Sequence, residues 1–154
     1  MSAVKERNRD EPEDIDFVDA SWEVQQLYRA DPLLPPFFER LKEKQLLASK
    51  APGDAGRVTF PPSSFNEMDY SEVADLVPVG PDGIIRAFTV LPATPPKVIV
   101  FVQLEGADTA SPGHLRGLPE DEMHSVDLVG ARCRAVFAEE PTGDWTDFWF
   151  ELIQ

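Results

Sequence analysis

The chain has 154 residues, one cysteine and 28 acidic against 14 basic side chains, for a net charge of −14 and a pI near 4.4. That charge repels nucleic-acid backbones and anionic lipid alike, and no apolar run is long enough to span a bilayer. A lone Cys133 cannot close an internal disulfide, so a reducing, cytoplasmic setting is expected, with one domain and an extension.

Residues 1–19 read as an acidic flexible tail with too little apolar surface to order itself. Within it, Ile15-Asp16-Phe17-Val18 is either a lead-in to the next element or a short docking motif. Residues 20–48 read as a helical arm: a short helix over Ser21 to Arg29, then an amphipathic one beginning at Pro35-Pro36, with Phe37, Phe38 and Leu41 on one face. Trp22, Leu27, Tyr28, Leu33, Leu34, Phe37 and Phe38 are more apolar surface than two short helices can hide. They dock on the rest of this chain or on a partner subunit, and the pattern leaves both open.

Residues 49–72 have the outline of two metal knuckles without their ligands. A structural zinc ribbon presents paired thiolates on two tight turns beside a short hairpin. Here the turns are Ala51-Pro52-Gly53-Asp54-Ala55-Gly56 and Phe65-Asn66-Glu67-Met68-Asp69, separated by Val58-Thr59-Phe60 and Pro61-Pro62, and neither holds a cysteine. No zinc is expected. Asn66, Asp69 and Asp54 offer hard oxygens of the kind calcium or magnesium takes, but such residues in turns are more often turn formers. Packing of Val58, Phe60, Phe65 and Met68 is expected to stand in for the metal, with Phe65 and Tyr70 as the substitute core.

Residues 73–154 are β-rich. A short strand over Val73 to Val79 ends in the turn Gly80-Pro81-Asp82-Gly83. Strands follow over Ile84 to Leu91, Val98 to Leu104, Ala131 to Glu139 and Thr146 to Ile153. Weaker candidates lie near Leu115 to Leu118 and Val126 to Val129, with a long loop from Glu105 to Gly113 and one helical turn around Glu120-Asp121-Glu122. The fold class is mainly β with N-terminal helices, ending in a five- to six-stranded OB-fold barrel. Val98 to Leu104 is apolar on both faces, as for a strand covered twice. Cys133, Ala135 and Phe137 point inward, and Arg132 and Arg134 outward. Trp149 is a lid over a local gap or an interface anchor.

No catalytic constellation is written in the chain. His114 and His124 lie in expected loops, and Cys133 lies mid-strand with its arginine neighbours on the other face. The acidic pairs have no evident burial to move their pKa values. The cations available to a phosphate-bearing ligand are Arg57, Arg86, Lys97 and Arg116. A second reading is a free-standing protein that binds acyl-CoA or a small apolar ligand, with an acyl chain held between Phe88, Phe101 and Phe137.

The lead-in FFERLKEKQLLASK, the doubled turn around VTFPPSSF, and the runs GIIRAFTVL, VIVFVQLEG and GARCRAVF follow in an order that resembles one family over about residues 22 to 153. These are the acyl-CoA-associated proteins that join an N-terminal helical hairpin, a rubredoxin-like zinc ribbon and a C-terminal OB-fold. The family's metal positions fall on Asn66 and Asp69, and on Pro52 with Ala55 or Ala51 with Asp54, none a zinc ligand set. The resemblance implies a non-catalytic accessory subunit of a thiolase-like or related acyl-CoA enzyme, in a hetero-oligomer. It also implies acyl-CoA contacts through Arg57, Arg86, Phe88 and Lys97 within the complex, and a partner interface at Trp22, Leu27, Phe37, Phe38, Phe60, Phe65 and Trp149.

Overall fold

The computed structural model describes residues 20–53 and 56–154. The tail expected over 1–19, its Ile15 to Val18 motif, Asp54 and Ala55 lie outside the described residues. One helix, α1 (Leu34–Lys42), has Pro35 and Pro36 in its first turn, where a missing N–H removes no helical bond. It stops where Lys44 takes a left-handed backbone, φ 58°, and the Gln45 and Lys44 N–H groups close on the Arg40 and Leu41 carbonyls.

The first expected helix does not form. Residues 20–30 have no regular structure, and Trp22, Leu27 and Tyr28 are 89%, 102% and 79% exposed. With nothing among the described residues packed on its apolar side, so short a helix cannot repay nucleation. The helical arm therefore reduces to α1. Its approach is fixed by Asp31, whose carboxylate accepts the Leu33 N–H at 2.8 Å and both the N–H and hydroxyl of Ser64 at 2.8 and 2.9 Å.

Strand β1 (Leu46–Lys50) takes residues expected at the end of the arm into a sheet ordered β2-β1-β3, with β2 (Val58–Thr59) and β3 (Asp75–Val79) both antiparallel to it. This is the ribbon-like unit, and hydrogen bonds to the barrel hold it. Val58 N–H donates to the Asp108 carboxylate at 2.8 Å while Asp108 N–H returns a bond to the Val58 carbonyl. The Thr109 hydroxyl bridges the N–H and carbonyl of Phe60.

The barrel is built from β4 (Asp82–Leu91), β5 (Lys97–Leu104), β6 (Ala110–Leu115), β7 (Arg132–Phe137) and β8 (Phe148–Leu152), closed in the order β4-β5-β6-β8-β7. Every pairing is antiparallel except β6 with β8, and β7 closes on β4 through Gly83 and Cys133. A five-stranded barrel of this order is the OB-fold. Strand β6 takes up the end of the segment expected as a loop, from Ala110 on, because pairing along β5 carries Pro112 and Gly113, which have no strand preference of their own. No strand forms over Val126 to Val129.

Ile85, Val98, Val100, Val102, Leu104, Leu115, Leu128, Cys133, Ala135 and Phe150 fill the interior. A bulge at Arg86 breaks the alternation of β4, so that Ile85 and Phe88 both face the core. Gly113 is forced by packing: a Cβ there would stand 2.5 Å from a ring carbon of Phe150, which is 1% exposed and cannot retreat. Gly113→Ala is expected to destabilise the fold by about 1–3 kcal/mol, read as a lower denaturation midpoint at unchanged slope. An unchanged midpoint would mean that β6 lies farther from β8.

The two β units and α1 meet on aromatic rings. Phe37 lies 5.5 Å from Phe38, 5.8 Å from Phe60 and 5.2 Å from Trp145, and Phe60 and Phe150 each approach Phe148. Such tilted and edge-on pairs add to the area they bury.

Candidate functional site

In an OB-fold the outer face of the second and third strands, with the flanking loops, is the usual binding surface. Here those strands are β5 and β6. The Ile99–His114 and Phe101–Pro112 pairs alternate with buried neighbours, and Lys97 and Arg116 lie one step beyond the Val98–Leu115 pair. The outer face thus runs from two cations through Ile99 and His114 to Phe101 and Pro112.

Two clefts of about 400 and 380 Å³ open on this face and share His114. The first is apolar, lined by Ile99, Pro112, Phe148, Trp145 and Pro61. The second is lined by Lys97, Arg116, Pro95 and Met123. Arg116 lays its guanidinium 4.0 Å from the centroid of the Trp149 ring, whose indole N–H donates to Glu151. Trp149 is thus covered by Arg116 and half-buried.

Trp145 reaches the groove because the 142–147 loop is tied to one carboxylate. Asp147, 4% exposed, accepts the N–H groups of Thr142, Gly143 and Asp144 at 3.0, 2.6 and 2.8 Å, and the Thr142 hydroxyl at 3.3 Å. Burial alone would raise its pKa, but these bonds outweigh that and hold the carboxyl below its usual range. Neither Trp145 nor Asp147 stood out from the sequence. The signal was Asp144 followed three residues later by Asp147, a reciprocal capping pattern around a single 3₁₀ turn over Trp145–Asp147.

The residues expected to contact acyl-CoA do not converge. Arg57 folds against the second knuckle, with Nη1 3.7 Å from the Met68 sulfur, and Arg86 donates to Gln103 at 2.9 Å. Gln103 lies six residues along β5 from Lys97, about 20 Å at 3.3 Å per residue. Phe88 faces the core. The three rings named for an interior acyl site do not face one space: Phe101 is on the outer face, 42% exposed, and Phe137 leans on Phe148, 6.2 Å between centroids.

Of the expected interface residues, Phe37 and Phe60 are internal, 0% and 3% exposed, because they seal α1 and the ribbon sheet together. Phe38 is half-buried against Trp145. Trp22, Leu27 and Phe65 are exposed. The substitute core expected from Phe65 and Tyr70 is not there: Phe65, Met68 and Tyr70 are 47%, 71% and 81% exposed, and Phe60 with the Asp108 and Thr109 bonds does that work.

The ribbon turns do not fit a zinc ion, since the positions equivalent to its ligands carry no thiol or imidazole. Asn66 Oδ1 accepts the Met68 N–H, and Asp69 Oδ1 accepts the N–H and hydroxyl of Ser71, so both side chains build the turn. Among the described residues no three His, Cys, Asp or Glu side chains are grouped to hold a metal. Burial, reinforced by Asp82, pushes the Cys133 thiol up to about 11, the state of an unreactive core residue. Arg134 pairs instead with Asp82 across the β4–β7 seam. Among the described residues neither histidine enters a side-chain hydrogen bond, and no helix is long and apolar enough to cross a membrane.

Fold and face together define a class: an OB barrel with a ribbon-like three-stranded sheet packed beside it and one helix at their junction. Solved structures are similar in overall fold. A Sulfolobus solfataricus protein of unknown function from the DUF35 family superposes with a TM-score of 0.60 at 18% identity, covering 79% of this chain and 86% of that one. A structure described as the Ltp2–ChsH2(DUF35) aldolase gives 0.59 at 18% identity, covering 83% and 98%. No family model matches the chain, and no curated protein matches it.

Proposed function

We propose that this chain is a DUF35-type accessory subunit, not itself catalytic, of a thiolase-like or related acyl-CoA enzyme. It belongs in a hetero-oligomer in which it stabilises the assembly and helps shape the acyl-CoA site. The observation that supports the reading is the shared fold, over 83% of this chain and 98% of that one, with a structure whose description couples two named proteins. Its reach from fold to function comes from the resemblance in the sequence motifs.

The surface supports the same reading. Trp22, Val24, Leu27 and Tyr28, shortly before Asp31 in the chain, and Phe65, Met68 and Tyr70, shortly after its partner Ser64, are all exposed. Large exposed aromatic side chains are the composition of interface anchors. A docked enzyme subunit would cover them, and the ribbon would keep its use without a metal because it shapes that surface.

The test is affinity purification of the full chain from its own cells, with mass spectrometry of stoichiometric partners. A thiolase-like or hydratase-like subunit is expected, and Trp22→Ala with Leu27→Ala should lose it while leaving the thermal midpoint unchanged. A chain that runs as a monomer and retains no such subunit overturns the proposal.

A further inference from the structure

We propose that Met68 is a reversible oxidation site, and that its sulfoxide ties the two knuckle turns of the ribbon-like unit together through Arg57. The inference concerns the free chain and does not depend on the accessory-subunit reading.

The two turns carry no thiolates to be joined by a metal, and Arg57 reaches from the first to the second. Its carbonyl closes the first turn by accepting the Ala51 N–H at 2.9 Å. Its guanidinium crosses to the second, with Nη1 3.7 Å from the Met68 sulfur. That second turn is held by bonds of its own, so Met68 is presented from a fixed backbone. Asn66 Oδ1 accepts the Met68 N–H at 3.1 Å, the Asn66 carbonyl accepts the Tyr70 N–H at 2.7 Å, and Asp69 accepts the N–H and hydroxyl of Ser71.

As it stands the contact is weak, because a thioether sulfur is a poor acceptor. Arg57 has no better one. Among the described residues it pairs with no carboxylate, whereas Arg40, Lys42, Arg132 and Arg134 all do, and its Nε–H is buried without a partner. A charged donor with unused N–H groups thus faces a sulfur that uses them poorly.

That sulfur is open to an oxidant. Met68 is 71% exposed, whereas Met123 is packed against the core. With hydrogen peroxide a sulfur lone pair attacks one peroxide oxygen, the S–O bond forms as the O–O bond breaks, and the proton on the attacked oxygen passes to the departing one, which leaves as water. The thioether loses two electrons and the peroxide gains them. The sulfoxide oxygen is a strongly polar acceptor, so the N–H···S contact becomes a charge-assisted N–H···O bond between the turns. A dithiol-dependent sulfoxide reductase reverses the step, removing the oxygen as water while its thiols close to a disulfide.

The test is mild hydrogen peroxide treatment of the full chain, followed by peptide mass spectrometry, thermal denaturation and amide hydrogen exchange. Met68 should gain one oxygen at least about tenfold faster than Met123, and methionine sulfoxide reductase with dithiothreitol should remove it. Oxidation should raise the thermal midpoint by about 2–4 °C and slow amide exchange over residues 66–70. In Arg57→Ala neither change should follow oxidation, and in Met68→Leu peroxide should leave both unmoved. If Arg57→Ala does not fold, the exchange of wild type against Met68→Leu carries the test. Oxidation of Met68 no faster than of Met123, a midpoint that falls or stays, or the same response in Arg57→Ala as in wild type each overturns the inference.

Discussion

Phe37→Ala is expected to lower stability by about 3–5 kcal/mol, the range for truncating a buried aromatic. Phe37 is 0% exposed and approaches the rings of Phe38, Phe60 and Trp145, which lie on the helix, just after β2 and in the turn before β8. The cavity would open at the one point shared by three elements, so no single element can collapse to fill it. Chemical denaturation reads the loss directly. The same variant should loosen Trp145 over the apolar cleft, because the helix face behind it is gone. A change below about 1 kcal/mol would show that α1 is not docked through this ring.

The second large effect is expected at Asp147, and it depends on pH. Its buried carboxylate takes four hydrogen bonds from a loop that is otherwise largely exposed. In Asp147→Asn one oxygen becomes an NH₂ group, which must face backbone N–H donors, either that of Thr142 or those of Gly143 and Asp144. A loss on the order of 2–3 kcal/mol follows from the stranded donors. The folded pKa of Asp147 lies below the ordinary value of 3.8. Its contribution is therefore fully present above that value, and it is lost as pH falls through the folded pKa. Wild-type stability should drop as the medium is acidified below about 4, and Asp147→Asn should flatten part of that slope. Asp31 adds to the slope with the same sign: burial opposes its charge, but bonds from Leu33 and Ser64 hold its pKa low. Equal slopes in wild type and variant would show that the loop is not tied by an ionised carboxylate.

Strands β4, β5, β7 and β8 were legible because their alternation, or their unbroken apolar run, survives in the fold. Val98, Val100, Val102 and Leu104 are buried as the period-two pattern requires. The pattern failed where burial or pairing came from elsewhere in the chain. Arg86 sits in a bulge, so the alternation of β4 breaks there without any local sign. Leu46 to Lys50 continues a helical pattern, yet lies between β2 and β3 as a strand.

The binding face was only half visible. Lys97 and Arg116 were legible as cations, but the strand register that sets them side by side is a property of β5 against β6. Trp145 depended on a loop held by Asp147, and the Phe65 and Tyr70 core was misjudged because aromatic content says nothing about which side of a turn meets the barrel.

The sequence by itself determined the class of fold and the lack of zinc-ligand thiols in the two turns, since these rest on residue type, periodicity and turn chemistry read locally. Only the tertiary structure decided that the first helix stays open, that Phe37 and Phe60 are internal, and that a groove with one cationic and one apolar end lies along β5 and β6. Those outcomes depend on contacts between residues far apart in the chain. Burial and side-chain direction follow from such contacts, and residue type alone does not fix them.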